Sequence, residues 1–205
     1  VLTPTQILAL YNEVSIDFNL MFSYNLDGDW KDNASSYNHL MINNTGAPHT
    51  FETGFTAMAG DSCVDFNGGE GLVSTKSVSN VGWSETAIAF WTKNSTVGQF
   101  VQGSYWGPGV AIDNNGLNVW FDGSAAGALY STNSVNLNDG LWHHVVAQNN
   151  GSMTYLYIDG LLDASMVESL YTLAVENSSS KTYIGILDNG TRRLDGSVDQ
   201  VNIYN

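Results

Sequence analysis

The chain has 205 residues, 43% of them apolar and 12% aromatic, enough for one large buried core. Twenty acidic side chains against six basic ones give a formal charge of −14, a field that repels nucleic-acid phosphates and anionic lipid and sets both aside as partners. No run approaches the roughly 20 apolar residues of a membrane helix, so direct membrane insertion is not expected, and a lone cysteine, Cys63, excludes an internal disulfide and a thiolate metal cluster.

The first predicted element is a short helix within residues 1–13, "VLTPTQILALYNE". Thr3 can cap it, Pro4 suits its first turn, Gln6 completes a capping-box spacing, and Ile7, Leu8, Leu10 and Tyr11 form an apolar stripe. From there the pattern changes to short strands: "GLVSTKSV", "TAIAFWTK", "GQFVQG", "GVAID", "GLNVWFDG", "HHVVAQ", "MTYLYIDG", "TYIGIL" and "GSVDQVNIY". The segments "DNNG", "NDG", "NNGS", "IDG" and "DNG" between them supply the positive φ angles of tight hairpins. "DASMVESLYTL", residues 163–173, stays open between helix and loop. Many short strands without long intervening helices predict an all-β, antiparallel sandwich or barrel. No repeat or linker divides the chain after the helix, so residues 14–205 read as one domain.

His143 and His144 stand side by side in "LWHHVVAQ". Neighbours on a strand face opposite ways, which places Trp142, His144, Val146 and Gln148 on one face and His143, Val145 and Ala147 on the other. Such a pair does not easily grip one metal ion, and histidines hydrogen-bonded within a central strand are the expectation. Cys63, in the alternating "GDSCVDFNG", is expected to be a buried, inert thiol. The sequons at Asn33, Asn43, Asn94, Asn150, Asn177 and Asn189 offer opportunities for glycosylation, at a frequency this Asn, Ser and Thr content produces by chance. A low share of charged residues, 13%, with abundant Asn, Ser, Gly and Thr, suits a secreted or cell-surface β protein. No export signal opens the sequence, which leaves it removed or carried elsewhere in a longer protein.

The stretch "LWHHVVAQNNGSMTYLYIDG", followed by "YIGIL" and "LDGSVDQVNIYN", resembles the laminin-G-like, concanavalin A-type jelly roll. "YNLDGDWKDNASSYNHLMI", "AGDSCVDFNGGEGLV" and "TAIAFWTK" resemble that family's opening strand and acidic loop, its Phe-x-Gly segment and its strand ending in Trp-x-Lys. The likeness covers about residues 17–205 and implies the jelly-roll β-sandwich. It also implies that Trp91 and Trp142 occupy core positions, and that the N-terminal helix is either the tail of a preceding copy or native to this domain. Fold alone does not settle function, because this one hosts glycan-binding modules, adhesion domains, enzymes and spacers.

Among candidate sites, "LDGDWKDN" gathers Asp27, Asp29 and Asp32 on a Gly-containing loop, oxygen ligands of the kind Ca²⁺ takes. The resemblance adds Asp199 of the closing strand, and the alternative is a solvated Asx turn. A structural Ca²⁺ is the expected cofactor. For glycans, flat aromatic faces with adjacent polar groups are needed. Tyr105 and Trp106 in "GSYWGPGV" are the first candidates, equally suited to covering the sandwich edge. Trp30 in the acidic loop is a weaker one, with Trp83 in "VGWSE", while Trp120 in "LNVWFDG" reads as buried. Asp188, Asn189, Arg192 and Arg193 in "ILDNGTRRLDG" could meet an acidic sugar or be ordinary solvated partners. The resemblance's hydrolase branch carries Glu-x-Asp-x-(x)-Glu, which is absent here: Glu13, Glu52, Glu70, Glu85, Glu168 and Glu176 are isolated. Its lyase strand set and the Gly-x-Ser-x-Gly, His-Glu-x-x-His and phosphate-loop motifs are absent too. The expectation is a non-catalytic, lectin-like module binding glycans in a larger adhesin or secreted protein. Its alternative is a spacer or an adhesion domain that binds other cell-surface proteins.

Overall fold

A computed structural model of the chain describes residues 2–11, 20–31, 33–34, 40–43, 50–69, 71–74, 85–94, 99–103, 109–113, 116–121, 129–132, 135–167, 181–186 and 193–204. Fifteen strands and one helix are found there. One sheet contains β1 (Leu20–Tyr24), β3 (Thr50–Thr53), β4 (Ser62–Asn67), β6 (Thr86–Asn94), β11 (His143–Asn149), β12 (Met153–Ile158), β13 (Leu161–Val167) and β15 (Asp195–Tyr204). Its order is β13-β12-β11-β6-β15-β4-β3, with β1 also on β15. The other runs β10 (Leu129–Tyr130), β9 (Gly116–Trp120), β8 (Gly109–Asp113), β7 (Gln99–Gly103), β14 (Tyr183–Ile184), β5 (Gly71–Ser74), β2 (Leu40–Asn43). Every pairing is antiparallel, and the jelly-roll sandwich is confirmed.

Side-chain alternation builds the core. Val64, Phe66, Ile88, Phe90, Val145, Ala147, Leu156 and Ile158 from the first sheet meet Leu72, Val110, Ile112, Leu117, Val119 and Ile184 from the second. Strand β11 is nonetheless buried along its whole length, because its other face is covered as well. Helix α1 (Pro4–Tyr11) lies there, and Leu2 and Ile7 pack on Ala87, Ala89, Val146, Tyr157 and Tyr204. The capping box forms as expected: Thr3 N–H donates to Gln6 Oε1 at 2.5 Å, and Gln6 N–H donates to Thr3 Oγ1 at 3.3 Å. Leu2 N–H donates to Gln148 Oε1 at 3.1 Å, fastening the segment to β11.

Two local expectations change. Residues 163–167 of "DASMVESLYTL" are neither helix nor loop but the end of β13, paired with β12 from Met153↔Val167 to Ile158↔Leu161. Helix-period residues accept an edge strand there because a distant partner supplies the backbone hydrogen bonds. The second is Trp142. It is only half-buried and belongs to neither core cluster, since its parity places it on the outer face with His144.

The loop between β3 and β4 folds back on itself, with Gly54 N–H donating to Asp61 O at 3.1 Å and Ala57 N–H to Gly54 O at 3.2 Å. A bulge in β15 between Asp199 and Asn202, with Gln200 at φ 45, re-aims Asp199 toward that loop. Helix and loop together place what covers the outer face of the first sheet.

Candidate functional site

The histidines do separate work. His143 Nδ1 lies 2.9 Å from Asp159 Oδ2, and its Nε2 lies 3.2 Å from Asp139 Oδ1. The hydrogen bond from Asp159 raises its pKa above the ordinary value against the opposing effect of burial, and Asp139 adds to the rise. Asp159 also accepts from His144 N–H at 2.9 Å and adopts φ 51 in the Asp-Gly hairpin, so His143 pins the β12–β13 turn. Burial pushes His144 down to about 4, leaving it neutral beside Trp91, 5.0 Å between ring centroids.

An acidic cluster sits at the bulge. Asp199 is fully buried; its Oδ2 accepts from Phe55 N–H at 3.2 Å and its Oδ1 from Gln200 N–H at 2.8 Å. Burial pushes its pKa up to about 7, and the charges of Asp61 and Asp27 push the same way. Asp61 Oδ2 accepts from the N–H and Oγ1 of Thr56 at 2.9 and 2.6 Å. Asp27 Oδ1 accepts from Ser62 N–H at 2.8 Å. Gly54 is required between the carboxylates, because a Cβ there would stand 2.5 Å from Asp61 Oδ2 and 2.6 Å from Asp199 Oδ2.

Of the four expected metal ligands, Asp27 and Asp199 therefore share one electrostatic neighbourhood. Asp29 turns away to Lys31 at 2.6 Å, and Asp32 lies outside the described residues. Asp61, adjoining Asp199, was missed; its signal was weak, since "GDSC" carries one carboxylate whose position depends on how the β3–β4 loop folds. Among the described residues no three acidic, histidine or cysteine side chains stand close enough together to hold an ion by themselves.

Aromatic side chains collect in two places. On the outer face Trp91 stacks with Phe55, 4.1 Å away at 11°, and with Tyr11, 5.6 Å away at 24°; Phe55 meets Trp142 edge-on at 6.5 Å. Lys93 Nζ lies 5.2 Å from the Trp142 ring centroid. At the sandwich rim Trp30 packs on the core and stacks on Phe51, 6.2 Å and 20° apart, and Phe51 is 39% exposed. Trp120 is buried as expected, lying over Gly109. Tyr105, Trp106, Trp83, Asp188, Asn189 and Arg192 lie outside the described residues.

A family model described as the concanavalin A-like lectin/glucanases superfamily matches residues 67–205, over half of the chain. The chain belongs to the concanavalin A-like lectin/glucanase superfamily. Solved structures show the same fold for this superfamily member. Domain 4 of AbnA, a GH43 extracellular arabinanase from Geobacillus stearothermophilus, was solved in complex with arabinotriose. It superimposes with a TM-score of 0.71 at 14% identity, over 91% of this chain and 92% of that one. The binding domain of Paraclostridial Mosquitocidal Protein 1 gives 0.67 at 16% identity, covering 91% of this chain and 48% of that one. A botulinum neurotoxin DC binding domain in complex with SialylT gives 0.65 at 13%, covering 91% and 47%. The chain thus spans about half the length of the toxin domains. No curated protein matches the sequence significantly. Among the described residues no helix is long and apolar enough to cross a membrane.

Proposed function

We propose that this superfamily member is a non-catalytic carbohydrate-binding module of a larger extracellular protein, steadied by Ca²⁺. The observation that carries the reading is the rim pair: exposed Phe51 stacked on Trp30, beside the polar Asp29–Lys31 turn. An aromatic face flanked by hydrogen-bonding groups is what a sugar ring needs. The arabinanase domain supports it, since its complex with arabinotriose is spanned almost end to end. The toxin domains support it less, because the half that matches need not be the half that holds the sugar.

Non-catalysis is supported by the acidic cluster. Glycoside hydrolysis needs two carboxylates facing a substrate groove. Here Asp199 is sealed from solvent, with both oxygens already accepting backbone hydrogen bonds. The calcium reading is supported by the same cluster, an all-oxygen set in which burial first and like charges second raise Asp199, and a hard cation would relieve the like-charge part. Asp27, Asp61 and Asp199 do not stand close enough to hold an ion by themselves, so they would draw together around it, with backbone oxygens completing the shell.

Titration of the whole chain with arabinotriose and with neutral hits from a glycan array tests the first claim. Phe51→Ala weakens binding at least about tenfold, for loss of an aromatic contact; unchanged affinity, or no neutral glycan bound at all, would sink it. Chelation tests the second: a metal held only by the folded state raises stability by RT ln(1 + [L]/Kd), so a melting temperature indifferent to chelator defeats the calcium reading. A protein-binding role has one observation of its own in edge strand β13, where Leu161 and Val167 are 73% and 70% exposed.

A further inference from the structure

Helix α1 and the Phe55 loop cover the central strands on the outer face of the first sheet, but one row of side chains at its end remains half-open. Asp65 is paired with Ser197, Ser197 with Lys93, and Trp142, one residue before the His143↔Thr92 pair, stands beside Lys93. These four positions cross four neighbouring strands at about 4.8 Å per step, room for an oligosaccharide. Asp65, Lys93 and Trp142 are half-buried, and Phe55, also half-buried, walls the row beside Trp142. Buried Ser197 donates from Oγ to Asp65 Oδ1 at 2.8 Å, holding that carboxylate in place.

Lys93 is the unusual member. It is one of only six basic side chains in a chain of charge −14. Among the described residues no carboxylate comes within ion-pair distance of its Nζ; the ammonium rests over the Trp142 ring instead. A cation–π contact leaves ammonium N–H donors for another acceptor. The surrounding negative field disfavours a densely charged polyanion, whereas a single carboxylate on an otherwise hydroxylated, ring-shaped ligand fits a row with one cation, one acceptor and two aromatic surfaces.

We propose that Asp65, Ser197, Lys93 and Trp142, walled by Phe55, form a second binding site, separate from the rim pair, for a carboxylate-bearing saccharide such as a uronic or sialic acid. The acid group lies at Lys93 against Trp142, and hydroxyl groups donate to Asp65. It goes beyond the rim reading, which concerns neutral sugar rings, and the two fail separately.

The test is titration calorimetry of the whole chain with a xylotriose bearing one glucuronic acid and with sialyllactose, each carrying a single carboxylate and each compared with its methyl ester. At least one acid binds, and its ester binds about tenfold more weakly, the scale of one charge-assisted hydrogen bond. Lys93→Gln removes that difference and Lys93→Arg keeps it. Trp142→Ala weakens acid and ester alike; should that variant melt early, the two Lys93 variants decide alone. Absence of binding by both acids at millimolar concentration, equal binding of acid and ester, or an acid preference surviving Lys93→Gln overturns the proposal. Neutral sugars lost on Phe51→Ala with no acid preference would leave the rim reading standing and sink this one.

Discussion

Ile7→Ala asks whether helix α1 is part of this fold. Ile7 is completely buried, against Ala87, Ala89, Val146, Tyr157 and Tyr204 on a sheet face that would otherwise meet water. Truncating a fully buried isoleucine costs about 2–5 kcal/mol, from lost transfer energy and the cavity left behind. An eight-residue helix has almost no stability alone, so the helix can undock to escape the cavity. The loss therefore cannot exceed what deleting residues 1–11 costs, and about 2–4 kcal/mol is the working range. For a chain of this size that is a fall of roughly 4–16 °C in melting temperature. Leu8→Ala, at a position 46% exposed on the same helix, is the control and stays within about 0.5 kcal/mol. Chemical denaturation of both variants and the deletion supplies the comparison. If Ile7→Ala costs no more than Leu8→Ala, the helix is not docked and the covered outer face is wrong.

Gly54→Ala places a Cβ between the Asp61 and Asp199 carboxylates and costs about 1–3 kcal/mol as overpacking; an unperturbed melting curve would mean that the two do not converge there. His143, raised by Asp159 and Asp139, stabilises the fold fully below its unfolded pKa of 6.5 and loses that contribution as pH rises through its higher folded value. Stability of the parent protein measured from pH 6 upward should fall relative to His143→Gln, and parallel curves would remove the bridge. Cys63, buried and pushed up to about 11 by burial and then by Asp199, should resist iodoacetamide at pH 8 until the protein is unfolded. Rapid labelling of the native chain would contradict its placement.

Local pattern was sufficient for much of the fold. Alternation in "TAIAFWTK" and "HHVVAQ" fixed which residues face inward, and the Asp-Gly at 159–160 marked its hairpin through the positive φ it needs. The capping box at Thr3 and Gln6 was likewise legible, because it is decided within one turn of helix. Residues 163–167 were not, because an edge strand is chosen by its neighbour more than by its own period.

The site divides along the same physical line. The amino-acid sequence by itself determined the all-β class, the strand faces and an acidic loop at Asp27, since these depend on periods of two residues and on turn chemistry. Only the tertiary structure decided that Asp61 and not Asp29 adjoins Asp199, and that Trp142 leaves the core to carry Lys93. Both outcomes join residues far apart in the chain. Each hangs on a bulge, a loop path or a strand register, and those are set by the packing of two whole sheets, so no local stretch of residues contains them.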